Sequence, residues 1–160
     1  GGKGGGGSHV TDRAQTLLAR FSRLRAEFSG VVRSADTVFH GEILSRQGAL
    51  ATVDTDVGPI RVLLFEDADV VQVALRADAV TLHEPRAAPS AAGTSARNHL
   101  EGTISAIDVG ESIACIEIDI GDADPLIALV TSESLRRLDL EPGATVVATF
   151  KATATRATGK

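Results

Sequence analysis

Two segments of this 160-residue chain carry the chemistry to hold a small dianion: Ser95-Ala96-Arg97-Asn98 and Phe150-Lys151-Ala152-Thr153. Ser95 offers a hydroxyl. The Ser95-Ala96-Arg97 turn offers backbone N–H groups, and Arg97 and Lys151 offer positive charge. No carboxylate lies in either segment. A tetrahedral oxyanion needs convergent N–H and O–H donors beside cationic side chains, and a run of turn N–H groups forms a natural nest for it. Thr131 is a third candidate. Its hydroxyl and the open N–H groups of a helix starting at 132 could reach the same anion, with a plain helix cap as the alternative role.

The elements around these segments are mainly strands. In the second half the pattern predicts strands over 100–108, 112–120, 126–131 and 145–156, with a short helix over 132–138 and a turn at Pro142-Gly143. Along the last strand Val146, Ala148, Phe150 and Ala152 share one face. Val147, Thr149, Lys151, Thr153 and Thr155 share the other, so Lys151 projects with threonines. Burying that face unpaired would be costly, and a donor-rich loop with an anion would offset the cost.

Residues 38–84 alternate in the same way and echo the second half. His40-Gly41-Glu42-Ile43 parallels Glu101-Gly102-Thr103-Ile104, and Val73-Ala74-Leu75-Arg76-Ala77 parallels Ala148-Thr149-Phe150-Lys151-Ala152. The chain therefore contains an internal repeat. The first copy shows no SARN segment and has Arg76 where the second has Lys151. Phe65–Asp69 stands where the helix would be, and Glu66, Asp67 and Asp69 bring carboxylates near the corresponding region. It reads as a degenerate copy that no longer binds an oxyanion well. The Pro- and Gly-containing stretch 86–94 joins the copies.

Thr94-Ser95-Ala96-Arg97-Asn98, Gly102, Val130-Thr131 with Ser134 and Leu138, Leu140-x-Pro142-Gly143 and Phe150-Lys151-Ala152-Thr153 follow one another in register over residues 94–158. This order of motifs resembles the Mop (molbindin, TOBE-type) family of molybdate- and tungstate-binding domains. The resemblance implies tandem OB-like barrels, the first degenerate. It also implies a molybdate or tungstate ligand held by Ser95, Ala96, Arg97, Asn98, Thr131, Lys151, Ala152 and Thr153, with the lysine segment and the SARN loop meeting across a subunit or repeat interface. The residues alone reach only a small-oxyanion binder and leave sulfate open.

The amino-terminal third bears on the wider role. Gly1–Ser8 is not a P-loop, because Lys3 is followed by Gly4 and no strand precedes it. Its GGGGS end matches a flexible linker. The glycine run, followed by Val10-Thr11 and a Leu-rich helix, also resembles the wing of the winged helix-turn-helix in ModE-type molybdate-responsive regulators, and this is the favoured reading. Over 12–31, Ala14, Leu17, Phe21, Leu24, Phe28 and Val31 recur at spacings of three and four, a heptad-type stripe suited to pairing with a second chain. The expected organisation is a wing remnant or glycine-rich segment at 1–11 and a linker and dimerisation helix at 12–33. A degenerate Mop-like repeat at 34–86 follows, then a linker at 87–94 and the oxyanion-binding domain at 95–158.

Bulk properties narrow the function classes. Net charge is −5, so the chain lacks the electrostatic footprint of a nucleic-acid binder, and an anion site must be a local field working against the global one. Cys115 lies alone in an apolar strand run and reads as a packed small hydrophobe. His9, His40, His83 and His99 are dispersed without zinc-site spacing, no GxSxG is present, and the aspartates do not match an EF-hand loop. No residue set suggests catalysis. No apolar run is long enough to span a membrane and no signal pattern is present, so a cytoplasmic location is expected. The expectation is thus a homodimeric molybdate or tungstate sensor half of a ModE-type transcription regulator, reaching DNA only through a helix-turn-helix absent from this sequence. The alternatives are a molbindin-like storage protein and the accessory domain of a molybdate-importer ATPase.

Overall fold

Period-two alternation marks most of the described residues from 36 onward, and strands form along most of it. The computed structural model describes residues 12–16 and 36–160. Asp12–Thr16 is helical, with the Thr16 hydroxyl donating to the Asp12 carbonyl at 2.9 Å. The glycine-rich start and the rest of the heptad stripe, Leu17 to Val31, lie outside the described residues.

The first repeat contains β1 (Thr37–Gln47), β2 (Leu50–Thr55), β3 (Gly58–Leu63), β4 (Val70–Leu75) and β5 (Thr81–His83). The second contains β6 (Asn98–Val109), β7 (Ile113–Asp119), β8 (Leu126–Thr131), β9 (Thr145–Phe150) and β10 (Thr155–Gly159), with helix α1 (Ser132–Arg137) between β8 and β9. They build two five-stranded sheets in the orders β10-β4-β1-β2-β3 and β5-β9-β6-β7-β8. Each sheet therefore takes its edge strand from the other repeat. A parallel bridge between Leu64 and Ala157 brings the two edges of the first sheet together, giving an OB-like, mainly β architecture in tandem.

Residue by residue, the repeat is carried by backbone events. Both long strands bulge at the same place, between Ile43 and Ser45 and between Ile104 and Ala106. A bulge sharpens local twist and lets a long strand curl around a barrel. Two residues ahead of each bulge sits a glycine under the neighbouring strand. A Cβ on Gly41 would lie 2.0 Å from the Asp54 carbonyl oxygen, and one on Gly102 would lie 2.6 Å from that of Asp119.

The larger of two apolar clusters among the described residues draws on both repeats. Ile60, Leu64 and Leu75 from the first pack in one cluster with Ile104, Ile116 and Leu126 from the second. Phe39 of β1 and Phe150 of β9 stack across the boundary with centroids 6.4 Å apart and planes inclined by 10°. Polar side chains fasten the same boundary reciprocally. The Thr37 hydroxyl accepts from the Ile127 N–H at 3.0 Å. Asn98, at the counterpart position, accepts from the Arg61 N–H at 2.8 Å and donates to the Arg61 carbonyl at 2.9 Å.

One expectation needs correction. The predicted strand over 145–156 is two strands separated by a 3-10 turn at Ala152–Ala154. The Thr155 hydroxyl donates to the Ala152 carbonyl at 2.7 Å and fixes the bend. Thr155, assigned to the polar face with Lys151, is buried because the chain turns there and enters the other sheet.

Candidate functional site

The turn after Phe150 brings Lys151 to the loop that precedes β6. Between them lies an open cavity of about 430 Å³. One wall is Thr94, Ser95 and Ala96 with Pro89. The other is Thr149, Phe150 and Lys151, and Thr81, His83, Ala79 and Ala154 complete it. No carboxylate lines it. A small anion here would meet an ammonium group and hydroxyls without like-charge repulsion.

Local hydrogen bonds shape both walls. Thr94 Oγ1 accepts from the Ala96 N–H at 3.1 Å, which folds the loop and engages one N–H of the expected nest. The ring of His99 lies 3.0 Å from the Ala96 carbonyl through Nε2, a contact that puts the proton on that nitrogen. His83 Nε2 lies 2.9 Å from the Thr149 hydroxyl. Burial, together with the neighbouring His99, holds the His83 imidazole below its ordinary pKa, so it favours the neutral form.

The predicted site residues divide into three groups. Ser95, Ala96 and Lys151 line the cavity together. Arg97 and Thr153 are exposed and Ala152 is buried, all on the flanking backbone outside the lining set. Asn98 and Thr131 have other tasks in this chain. The Asn98 side chain is only 4% exposed and is spent on Arg61. Thr131 caps α1, accepting from the Ser134 N–H at 3.0 Å. Thr81 and His83 were missed, and Thr149 was read only as sharing the face of Lys151. Strand β5 belongs by sequence to the first repeat, yet Thr81 pairs with Thr149 in the second sheet, and no local pattern announces a neighbour across that separation.

The first repeat has a counterpart of this corner. Thr37 stands opposite Leu75 as Asn98 stands opposite Phe150, so Arg76 corresponds to Lys151 and Asp36 to Arg97. Aligned this way, Ser34-Ala35-Asp36-Thr37 is the altered equivalent of Ser95-Ala96-Arg97-Asn98; Ser34 and Ala35 lie outside the described residues. The carboxylates at this corner are not those expected from sequence. Asp67 pairs with Arg46 at 3.2 Å and Glu66 accepts from the Gly159 N–H. Asp78 instead pairs with Arg76, whose Nε donates to Asp78 Oδ1 at 2.9 Å while Nη2 donates to Oδ2. The guanidinium hydrogen bond holds the Asp78 carboxyl below its ordinary range.

Among the described residues, no helix is long and apolar enough to cross a membrane, and no cluster of three or more His, Cys, Asp or Glu side chains is placed to hold a metal ion. Cys115 is a free thiol, half-buried against Leu129 and Ala77, and burial raises its pKa.

Comparison with known proteins agrees with this architecture. Residues 94–157 match the TOBE domain family. The chain is 28% identical over 154 residues to the molybdenum transport protein ModE of Herbaspirillum seropedicae, covering 96% of this chain and 43% of that protein. The chain thus spans less than half the length of that relative. It is 39% identical over 59 residues to a probable molybdenum-pterin-binding protein of Haemophilus influenzae, covering 37% of this chain and 86% of the relative. Among solved structures it is similar to the cytoplasmic molybdate-binding protein ModG, with a TM-score of 0.67 and 25% identity over 79% of this chain and 98% of that one. With a family match over the second repeat and a relative matched over most of its own length, this chain belongs to the TOBE-domain family.

Proposed function

We propose that the chain binds molybdate or tungstate and is the effector-sensing part of a ModE-type transcription regulator. The observation that carries the anion reading is the carboxylate-free cavity that Ser95 and Lys151 line together in a chain of net charge −5. Ser95 donates its hydroxyl and Lys151 its ammonium protons. Ala152 and Thr153, at the start of the 3-10 turn, offer backbone N–H groups and the Thr153 hydroxyl. Arg97 and Thr131 lie outside the cavity in the single chain. A homodimer gives them a route to the anion of a neighbouring subunit, and Asn98 acts by holding its own loop against β3. Anion binding then ties the loop before β6 to the end of β9, and through β10 to the other sheet. It favours whichever dimer arrangement has that corner closed. The regulator reading is supported by the ModE relative, whose match runs through 96% of this chain. DNA contact would come from a helix-turn-helix outside this sequence, and the location would be cytoplasmic.

A storage or buffering role without DNA is the second reading. Its support is the ModG likeness, which accounts for 98% of that chain. Calorimetric titration with molybdate, tungstate and sulfate tests the shared core. Tight binding of the first two and weak binding of sulfate is expected, and no heat with any of them ends both readings. A gel shift with the full-length gene product, with and without molybdate, then separates regulator from store. Sedimentation tests the dimer: a monomer at tens of micromolar with ligand present would remove the shared-site reading.

A further inference from the structure

We propose that the first repeat carries a closed oxyanion site, in which the chain's own Asp78 carboxylate occupies the place of the bound anion. This rests on the anion-binding reading of the second repeat. The two corners are built alike: a strand-end cation, Arg76 or Lys151, followed by a 3-10 turn, Ala77–Ala79 or Ala152–Ala154. The middle residue of the turn is Asp78 in one and Thr153 in the other. The residue ahead of the long strand is Asp36 in one and Arg97 in the other.

These exchanges reverse the local charge. The equivalent positions flanking Lys151 hold Arg97 and a neutral threonine, which with the lysine sum to +2. Around Arg76 stand two carboxylates, a local charge of −1. Asp78 presents both oxygens to the guanidinium fork, the arrangement an oxyanion would offer. The Asp78 side chain is only 21% exposed, so it is packed into the corner rather than swinging in solvent. Asp36 acts favourably on the same guanidinium through its charge. An incoming dianion would have to displace an intramolecular carboxylate that needs no free ligand, against the charge of a second one. Ligand therefore acts on one corner only, while the pseudo-equivalent corner stays latched whatever the anion concentration.

The test exchanges the corners in both directions, using molybdate and calorimetry on the whole chain. Thr153→Asp should supply Lys151 with its own carboxylate and weaken molybdate binding by about 100-fold or more, whereas Thr153→Asn, which loses the same hydroxyl but is neutral and of the same size as Asp, should weaken it only by the loss of that hydroxyl, roughly tenfold at most. In the other direction, the double variant Asp36→Arg and Asp78→Thr should double the molybdate bound per chain, with circular dichroism reporting that it is folded. Thr153→Asp binding as well as Thr153→Asn overturns the proposal. So does a folded double variant that keeps the parent's stoichiometry. A parent that binds no molybdate removes the functional reading instead. In that case binding gained by the double variant still supports the closed site, and none gained overturns it too.

Discussion

Replacing Asn98 by alanine separates a structural clamp from a ligand contact. Asn98 is 4% exposed and makes two hydrogen bonds to the backbone of Arg61, at 2.8 and 2.9 Å. Alanine removes both and leaves an N–H and a carbonyl of β3 facing a hole. An unpaired buried polar group costs about 1–3 kcal/mol, so two cost roughly 2–6 kcal/mol before relaxation. Water entering the vacated amide volume restores part of this, which gives an expected loss of about 2–4 kcal/mol. For a chain of this size that lowers the melting temperature by roughly 5–15 °C. Urea unfolding followed by far-ultraviolet circular dichroism should show a lower midpoint with an unchanged slope. Thr37→Val removes the single counterpart bond to Ile127 and should cost less, about 1–2 kcal/mol. An Asn98→Ala chain within about 0.5 kcal/mol of the parent that also loses anion affinity would refute the clamp and make the side chain a ligand contact.

Three further outcomes are expected. On the proposed reading, in which Arg97 and Lys151 each give the anion a charge-assisted bond, Arg97→Ala and Lys151→Ala should each weaken molybdate binding by roughly 30- to 1000-fold, while Arg76→Ala, whose guanidinium is already paired with Asp78, should change it little in the same calorimetric titration. Gly102→Ala places a Cβ 2.6 Å from the Asp119 carbonyl oxygen, so β6 and β7 must part and thermal unfolding should shift down by several degrees or the chain should fail to accumulate. His83 titrates below its ordinary value of 6.5 because burial disfavours its charged form. The unfolded chain then binds more protons than the folded one, and stability should fall as pH drops from 6.5 through the lower folded value. Melting curves at pH 7.5 and 5.5 should show a larger decline for the parent than for His83→Gln.

Local pattern alone determined much of this protein. Alternation of apolar and polar residues defined most strands, since side chains on a pleated strand face opposite sides whatever the tertiary context. Thr131 followed by Ser-Glu-Ser marked a helix start, and it is the N-cap of α1. Gly41 and Gly102 exposed the repeat because both must pass beneath a neighbouring carbonyl. The Ser95 and Lys151 segments stood out because cations and hydroxyls without a nearby carboxylate are legible as composition.

Tertiary structure decided what these segments meet. Alternation continued through Lys151 to Thr155, so the sequence concealed the turn that sends β10 into the other sheet; only the packing of Thr155 and Ala157 against β3 and β4 made the bend favourable. Exchange of β5 put Thr81 and His83 beside Thr149, a contact between residues 66 apart that leaves no periodic trace. Asn98 belonged to a motif with binding chemistry, yet β3 claimed its side chain, because an unpaired backbone N–H at the junction of two barrels costs more than a polar side chain left in solvent. In the first repeat, the 3-10 turn, rather than the acidic loop at 66–69, delivered the carboxylate to Arg76. Charge composition marks the neighbourhood, but the three-residue turn Ala77–Ala79 fixes the contact.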